Sequence, residues 1–266
     1  MMAGMRVLQH NLLNFLKAFA EMDDLVITIT EEGLVGAGTL DKAFFVTRWS
    51  NFGEGEECIN EGEIPLGQLK TFVGLVKECG NGSDELEITL SDEGLLTVIG
   101  DSSQFSMPTV TTTTSQDGVA SVQKMIDDSE KSGWTTFGSA DVGFSMSFEG
   151  AAFQQLRNTG KTLQNGALFC LEANVAGLTL SVKRDQIRMD STLEPITNTL
   201  VDESEGCIIW FGKWLMDALK AMPSIGTVHL HGGDDAPLLI RHESPEGNFG
   251  TQTVIAPRQD EAGGSQ

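Results

Sequence analysis

Apolar residues recur at helical spacing in four short stretches of this 266-residue chain, and β-rich runs fill the space between them. Leu8, Leu12, Phe15 and Phe19 share one face of Arg6–Ala20. Leu66, Leu69, Val73 and Val76 share one face of Leu66–Glu78, just after Pro65. Phe153, Leu156 and Leu163 mark Gly150–Leu163, and Leu215, Leu219 and Met222 mark Phe211–Met222, which Pro223 stops. Each stripe must be buried against another element, because a helix that short is not stable alone. The first half reads as strands at Leu25–Thr30, Leu34–Ala37, Ala43–Trp49, Glu85–Leu90 and Leu95–Ile99, with Gly33 and Gly94 in the turns. The second half reads the same way at Gly143–Phe148, Ala167–Ala173, Leu178–Lys183, Cys207–Trp210, Val228–His231, Leu238–His242 and Thr251–Ile255. The order helix, strands, helix, strands therefore occurs twice. Little sequence identity links the halves, so this is a repeat of architecture.

The repeat predicts two domains, 1–108 and 142–258. The Thr-, Ser- and Gly-containing stretch 109–141, with its charged run Lys124–Lys131, reads as the linker, and the polar 259–266 as a disordered tail. With 40% hydrophobic residues, such domains can bury a core. No apolar run reaches membrane-helix length, and Met1–Arg6 lacks a signal-peptide design, so a soluble, intracellular protein is expected. Cys58, Cys79, Cys170 and Cys207 form no CxxC pair and are expected as free thiols.

The formal net charge of −21 argues against a general nucleic-acid binder, because phosphates repel an acidic surface. It also suits a high-salt cytoplasm. The few cations are not spread evenly. Arg6, Lys17, Lys70, Lys77, Arg157, Lys161, Lys213 and Lys220 fall on the four helical stretches, against only Glu78 and Asp217. The helices thus sum to +6, and the remaining nine basic and 36 acidic residues to −27. Within each stretch the cations lie opposite the apolar stripe, in series such as Arg6, His10, Asn14, Lys17 and Gly67, Lys70, Gly74, Lys77. Lys and Arg favour solvated helix faces in any protein. Four such faces in so acidic a chain point instead to a helical surface that meets an anion, with the acidic remainder keeping that anion from other faces. No aromatic is interleaved, which favours backbone contact over base stacking.

Two motifs point elsewhere. Gly160-Lys161-Thr162 ends like a phosphate loop, but Gln155 stands where the first glycine belongs. His229 and His231 alternate on a strand and precede Asp234 and Asp235, a hint of metal ligands and hence of a metal-dependent enzyme of nucleic-acid metabolism. Loss of activity in a His231 variant would mark that alternative. Asn81-Gly82-Ser83 is a glycosylation sequon, irrelevant inside a cell.

The C-terminal part carries a family resemblance. Asp234–Ile240, with Pro237 and Leu238, and the closing Thr253–Arg258, with Ala256 and Pro257, resemble the last strands of DNA sliding clamps, of the proliferating-cell-nuclear-antigen and T4-phage processivity-factor type. Phe211–Pro223 resembles their last helix, and Leu13–Ala20 and Glu85–Phe105 resemble the N-terminal half of the phage clamps. The resemblance implies an α+β DNA clamp fold, with two similar domains that each pack two helices on antiparallel sheets. It implies a homotrimeric ring around double-stranded DNA, with the helices lining the hole. Closure would pair an edge strand near Phe105–Val110 with one near Leu178–Lys183. It implies a non-enzymatic processivity factor, without cofactor or metal, that tethers DNA polymerase and other replication proteins and is opened by a clamp loader. The setting would be a prokaryotic or viral replisome in the cytoplasm, or a nucleus. A monomeric polymerase accessory protein is the nearest alternative. Partner peptides would dock in an apolar groove near Leu40, Pro237, Val254, Ala256 and Pro257, with Ala256 expected as a buried small residue.

Overall fold

The computed structural model describes residues 2–257 apart from 41–42, 81–83, 102, 110–115, 163–166, 201–205 and 235, and leaves out the side chains of 116–117 and 159–162. The sequon at Asn81, the linker threonines 111–114, Leu163, Asp235, Arg258 and the tail 259–266 therefore lie outside the described residues. Five α-helices are present among those described: α1 (Gln9–Leu16), α2 (Leu69–Glu78), α3 (Gln116–Lys131), α4 (Gly150–Thr162) and α5 (Trp214–Ala221). The chain divides into two compact units, residues 1–119 with 248–250, and 120–247 with 251–266.

In the first unit Ala3–Leu8 runs into α1. The strands Leu25–Ile29, Gly33–Leu40, Phe44–Asn51, Glu57–Asn60 and Gly62–Leu66 follow. After α2 come Glu85–Leu90, Leu95–Ile99 and Gln104–Pro108. Glu57–Asn60, Ala3–Leu8, Glu85–Leu90, Leu95–Ile99 and Gln104–Pro108 are neighbours in that order. So are Phe44–Asn51, Gly33–Leu40, Leu25–Ile29 and Gly62–Leu66. These strands pair antiparallel throughout.

The second unit repeats this element for element. Phe144–Glu149 runs into α4, five strands follow to Cys207–Phe211, and three more follow α5. Thr197–Leu200, Phe144–Glu149, Thr227–Gly233, Ala236–Glu243 and Phe249–Ile255 are neighbours in that order. So are Ile187–Leu193, Gly177–Arg184, Leu168–Asn174 and Cys207–Phe211. The same connectivity, with so little shared sequence, shows that the hydrophobic pattern carries the repeat.

Cores form where the helix stripes meet the sheets. Leu12, Phe15 and Phe19 of the first unit are almost fully buried, as are Phe72 and Val76 on α2. A Cβ placed on Gly36 would lie 2.8 Å from the rings of Phe15 and Phe19, so only glycine lets this strand approach α1 so closely. In the second unit Phe148 and Phe153 meet edge to face with centroids 5.5 Å apart, beside the buried Leu156, Leu215 and Leu219.

Several boundaries differ from the sequence reading. The first helix starts at Gln9 and not Arg6, because Ala3–Leu8 is drawn into a ladder on both sides. Ala3, Met5 and Val7 alternate inward there, a period-two signal six residues long that the helical stripe beyond it masks. No side chain of the local sequence caps α1; the distant Glu56 carboxylate accepts from the Leu8 N–H and from Asn11 Nδ2. Pro65 does not precede the second helix but sits in Gly62–Leu66, an edge strand of that four-strand order, where a missing N–H is tolerated. Gln9, nearly fully buried, sends its amide to the carbonyls of Val76, Lys77 and Gly80 and so closes the end of α2.

Two other stretches differ as well. The expected linker 109–141 contains α3, a helix the composition disguises because its apolar residues are few. Leu178–Lys183 is no edge: it lies in Gly177–Arg184, which pairs on both sides, and the edge beside it is Ile187–Leu193.

Candidate nucleic-acid interface

In the first unit α1 and α2 pack side by side. Between them runs a groove of about 450 Å³ whose lining includes His10, Leu13, Lys17, Lys70, Val73 and Lys77. Three cations read from the sequence thus converge on one surface. Lys17, in the 3-10 turn that extends α1, donates to Asn14 Oδ1 at 2.7 Å. Lys70 stands 3.7 Å from the Asp23 carboxylate with both side chains mostly exposed, a pair worth little in water. Lys77 has no ion-pair partner among the described residues. A Cβ added at Gly74 would meet nothing within 4 Å, which leaves the backbone there open to a partner.

Arg6 departs from the set. It lies on Ala3–Leu8, and its guanidinium engages Glu57, Glu85 at 2.8 Å and Glu87 at 3.4 Å. Three carboxylates offset its charge, so it adds nothing to a positive helix face.

In the second unit α4 and α5 form the equivalent pair. Arg157 donates from Nη1 to the Met222 carbonyl at 3.1 Å, which satisfies a group left open at the end of α5. Lys213, at the α5 N-cap, places Nζ 4.0 Å from the Trp214 ring centroid. Lys220 pairs at 3.0 Å with the buried Asp217. Lys161 lies in the last turn of α4, with its side chain outside the described residues. Arg157, Lys213 and Lys220 are more occupied by their own chain than Lys17, Lys70 and Lys77 are.

Gly160-Lys161-Thr162 closes a helix, whereas a phosphate loop opens one. The other hinted site is not assembled among the described residues. The Asp234 carboxylate accepts from the Ile208 N–H at 3.1 Å and from Cys207 Sγ at 3.2 Å. His231 is buried, its ring stacked on Trp134 at 3.9 Å and its Nδ1 2.9 Å from Ser145 Oγ. Among the described residues no group of three or more His, Cys, Asp and Glu is placed to hold a metal. All four cysteines are free; burial pushes the Cys170 thiol up to about 11, and burial with Asp234 pushes Cys207 up further.

Burial, with His229 and Arg241 nearby, lowers the His231 pKa to about 3. A histidine held neutral by the fold gains a proton only when it is uncovered. Its share of stability is complete above the ordinary pKa near 6.5 and is lost as pH falls from there toward 3. His231 is expected to contribute a stability decrease of about 1.4 kcal/mol per pH unit between roughly pH 6 and 4, measured by chemical denaturation. Trp134→Ala should flatten that slope and bring the His231 NMR titration upward. A His231 that titrates near 6.5 in the intact protein would refute this.

Of the residues tied to partner docking, Leu40 ends Gly33–Leu40 in the first unit, half-buried. In the second, Pro237 and Pro257 are half-buried and Val254 is buried. Ala256 is exposed, against expectation, because the strand ends at Ile255 and the chain leaves the sheet there.

Two topologically identical units, each with a helix pair against antiparallel sheets, define the DNA clamp fold. Comparison with solved structures bears this out. PCNA of A. fulgidus bound to the C-terminal region of FEN-1 superposes with a TM-score of 0.71 at 14% identity, over 97% of this chain and 98% of that one. PCNA from Thermococcus kodakaraensis gives 0.70 at 17% identity, over 97% and 100%. The PCNA2–PCNA3 complex from Sulfolobus tokodaii gives 0.71 at 17%, over 96% and 99%. The chain thus has the fold of PCNA sliding clamps over 96–97% of its length. No family model and no curated protein matches its sequence. Among the described residues no helix is long and apolar enough to cross a membrane.

Proposed function

We propose that this chain is the subunit of a homotrimeric sliding clamp, a non-enzymatic ring that encircles duplex DNA and holds polymerase and other replication proteins on it. The observation that carries the reading is the pairing of cation-bearing helices with the clamp fold in a chain of net charge −21. Lys17, Lys70, Lys77, Arg157, Lys161, Lys213 and Lys220 face the DNA, and Arg6 is left out. Phosphates are met without base readout, so binding is independent of sequence and falls with salt. The acidic remainder keeps DNA off the outer surface and fits a cytoplasmic or nuclear replisome.

Closure pairs the edge Gln104–Pro108 of one copy with the edge Ile187–Leu193 of the next. Each has one strand neighbour among the described residues, and an unpaired edge is a liability that a ring removes. A clamp loader opens the ring. Partner peptides dock near Leu40, Pro237, Val254 and Pro257, with Ala256 at the rim; that the A. fulgidus protein binds the C-terminal region of FEN-1 supports peptide docking as such.

Native mass measurement and retention on circular DNA test this together. A trimer that stays on nicked circular DNA and runs off once the circle is cut is the expected result. A lone 28.6 kDa species, or equal loss from circular and linear DNA, would sink it.

A further inference from the structure

The groove between α1 and α2 has a property that contact with a duplex does not require. Its rim is cationic, with Lys17, Lys70 and Lys77, but its floor is apolar, including Leu13 and Val73, both half-exposed. A phosphate backbone satisfies the rim and leaves that floor wet. Something with an apolar stripe and acidic flanks would satisfy both.

We propose that this groove is also a docking site for an acidic amphipathic helix of a partner protein, which thereby competes with DNA for the same face. Charge complementarity selects the sign of the partner: the rim presents lysines in a chain that is elsewhere strongly acidic. Spacing selects its form. Lys70 and Lys77 lie seven residues apart on α2, which is about 10.5 Å along a helix axis. Two carboxylates seven residues apart on a straight partner helix share that separation. Apolar residues three and four apart on the same helix lie between them and point to one side, onto Leu13 and Val73. The volume, about 450 Å³, accommodates a few anchoring side chains. The open surface at Gly74 removes a side chain that would otherwise hold the partner away.

Binding to the groove stands apart from the clamp reading; only the predicted competition with DNA rests on it. The probe is a fluorescein-labelled designed helical peptide with a leucine stripe flanked by glutamates, followed by anisotropy on the full-length protein. Three controls accompany it: the same peptide with lysine flanks, a scrambled peptide of equal composition, and a short DNA duplex as competitor. The expected result is saturable binding of the glutamate peptide alone, displaced by the duplex. Val73→Asp, and separately Leu13→Asn, should weaken it at least tenfold. Both side chains are half-exposed, so unchanged melting temperatures would show that the fold survives. Replacing Lys70 and Lys77 by Ala should reduce both the affinity and its salt dependence. Equal binding by the scrambled or lysine-flanked peptide, or affinity unchanged in both groove variants, would overturn the proposal. Peptide binding that maps to the groove in a protein that never stays on circular DNA would uphold the docking site and count against the clamp reading.

Discussion

Ile187→Glu is expected to turn the proposed ring into a 28.6 kDa monomer without harming the fold of the chain. Ile187 opens the edge strand Ile187–Leu193 and is 55% exposed, so in an isolated subunit a glutamate there is solvated and costs little. In the proposed ring that edge meets Gln104–Pro108 of the next copy, and the carboxylate would be taken largely out of water, with Arg184 opposite it on the neighbouring strand offsetting only part of that cost. The effective penalty for such a charge is several kcal/mol. About 3 kcal/mol already corresponds to roughly a hundredfold weaker association, and it would recur at each of three contacts. Sedimentation at micromolar protein should show the shift, and an unchanged melting profile should show that the monomer is folded. A trimer that survives the substitution would place the interface at another edge.

The second large effect is expected on DNA. Replacing Lys17, Lys70, Arg157 and Lys213 together by Ala should leave trimers assembled but retain them poorly on circular DNA. Every phosphate that is no longer neutralised should lower the slope of log affinity against log salt by about 0.9. Removal of four cations from every subunit should therefore shorten retention at least tenfold, to an extent that depends on salt. Single substitutions should do little, because a closed ring is held topologically and only modulated by charge. Within the set, Lys17 and Lys70 should contribute most. Lys70 is held only by an exposed pair, whereas Arg157 is committed to the Met222 carbonyl and Lys213 to the Trp214 ring. Arg157→Ala should also cost about 1 kcal/mol of stability by removing that hydrogen bond. Retention equal to wild type would remove pore electrostatics from the mechanism.

Much of the positive face is legible in the sequence because it depends on local spacing. Lys70 and Lys77 share a side of α2 by helical geometry alone, and the apolar stripe says which side is inward. Arg6 shows where that logic fails. Its placement on a helix follows from a stripe that begins at Leu8, but whether residues 3–8 are helix or strand is decided by Glu57–Asn60 and Glu85–Leu90, far away in sequence. The same partners supply the carboxylates that offset its charge. Ala256 fails for a related reason: composition shows that a residue is small and apolar, but not that the strand has already ended. The latch of Trp134 on His231 joins residues nearly a hundred apart, and no local pattern announces it.

By itself the sequence determined the twofold succession of helix and strands, the four amphipathic faces, and the concentration of cations on them, since each is a matter of residue order over a few turns. The tertiary structure alone decided which strands are edges, how each helix is capped, and which cations remain available to an anion. Those depend on pairings across tens of residues. There the free energy of a ladder or an ion pair outweighs local propensity, which is worth at most about 1 kcal/mol per residue for anything but proline.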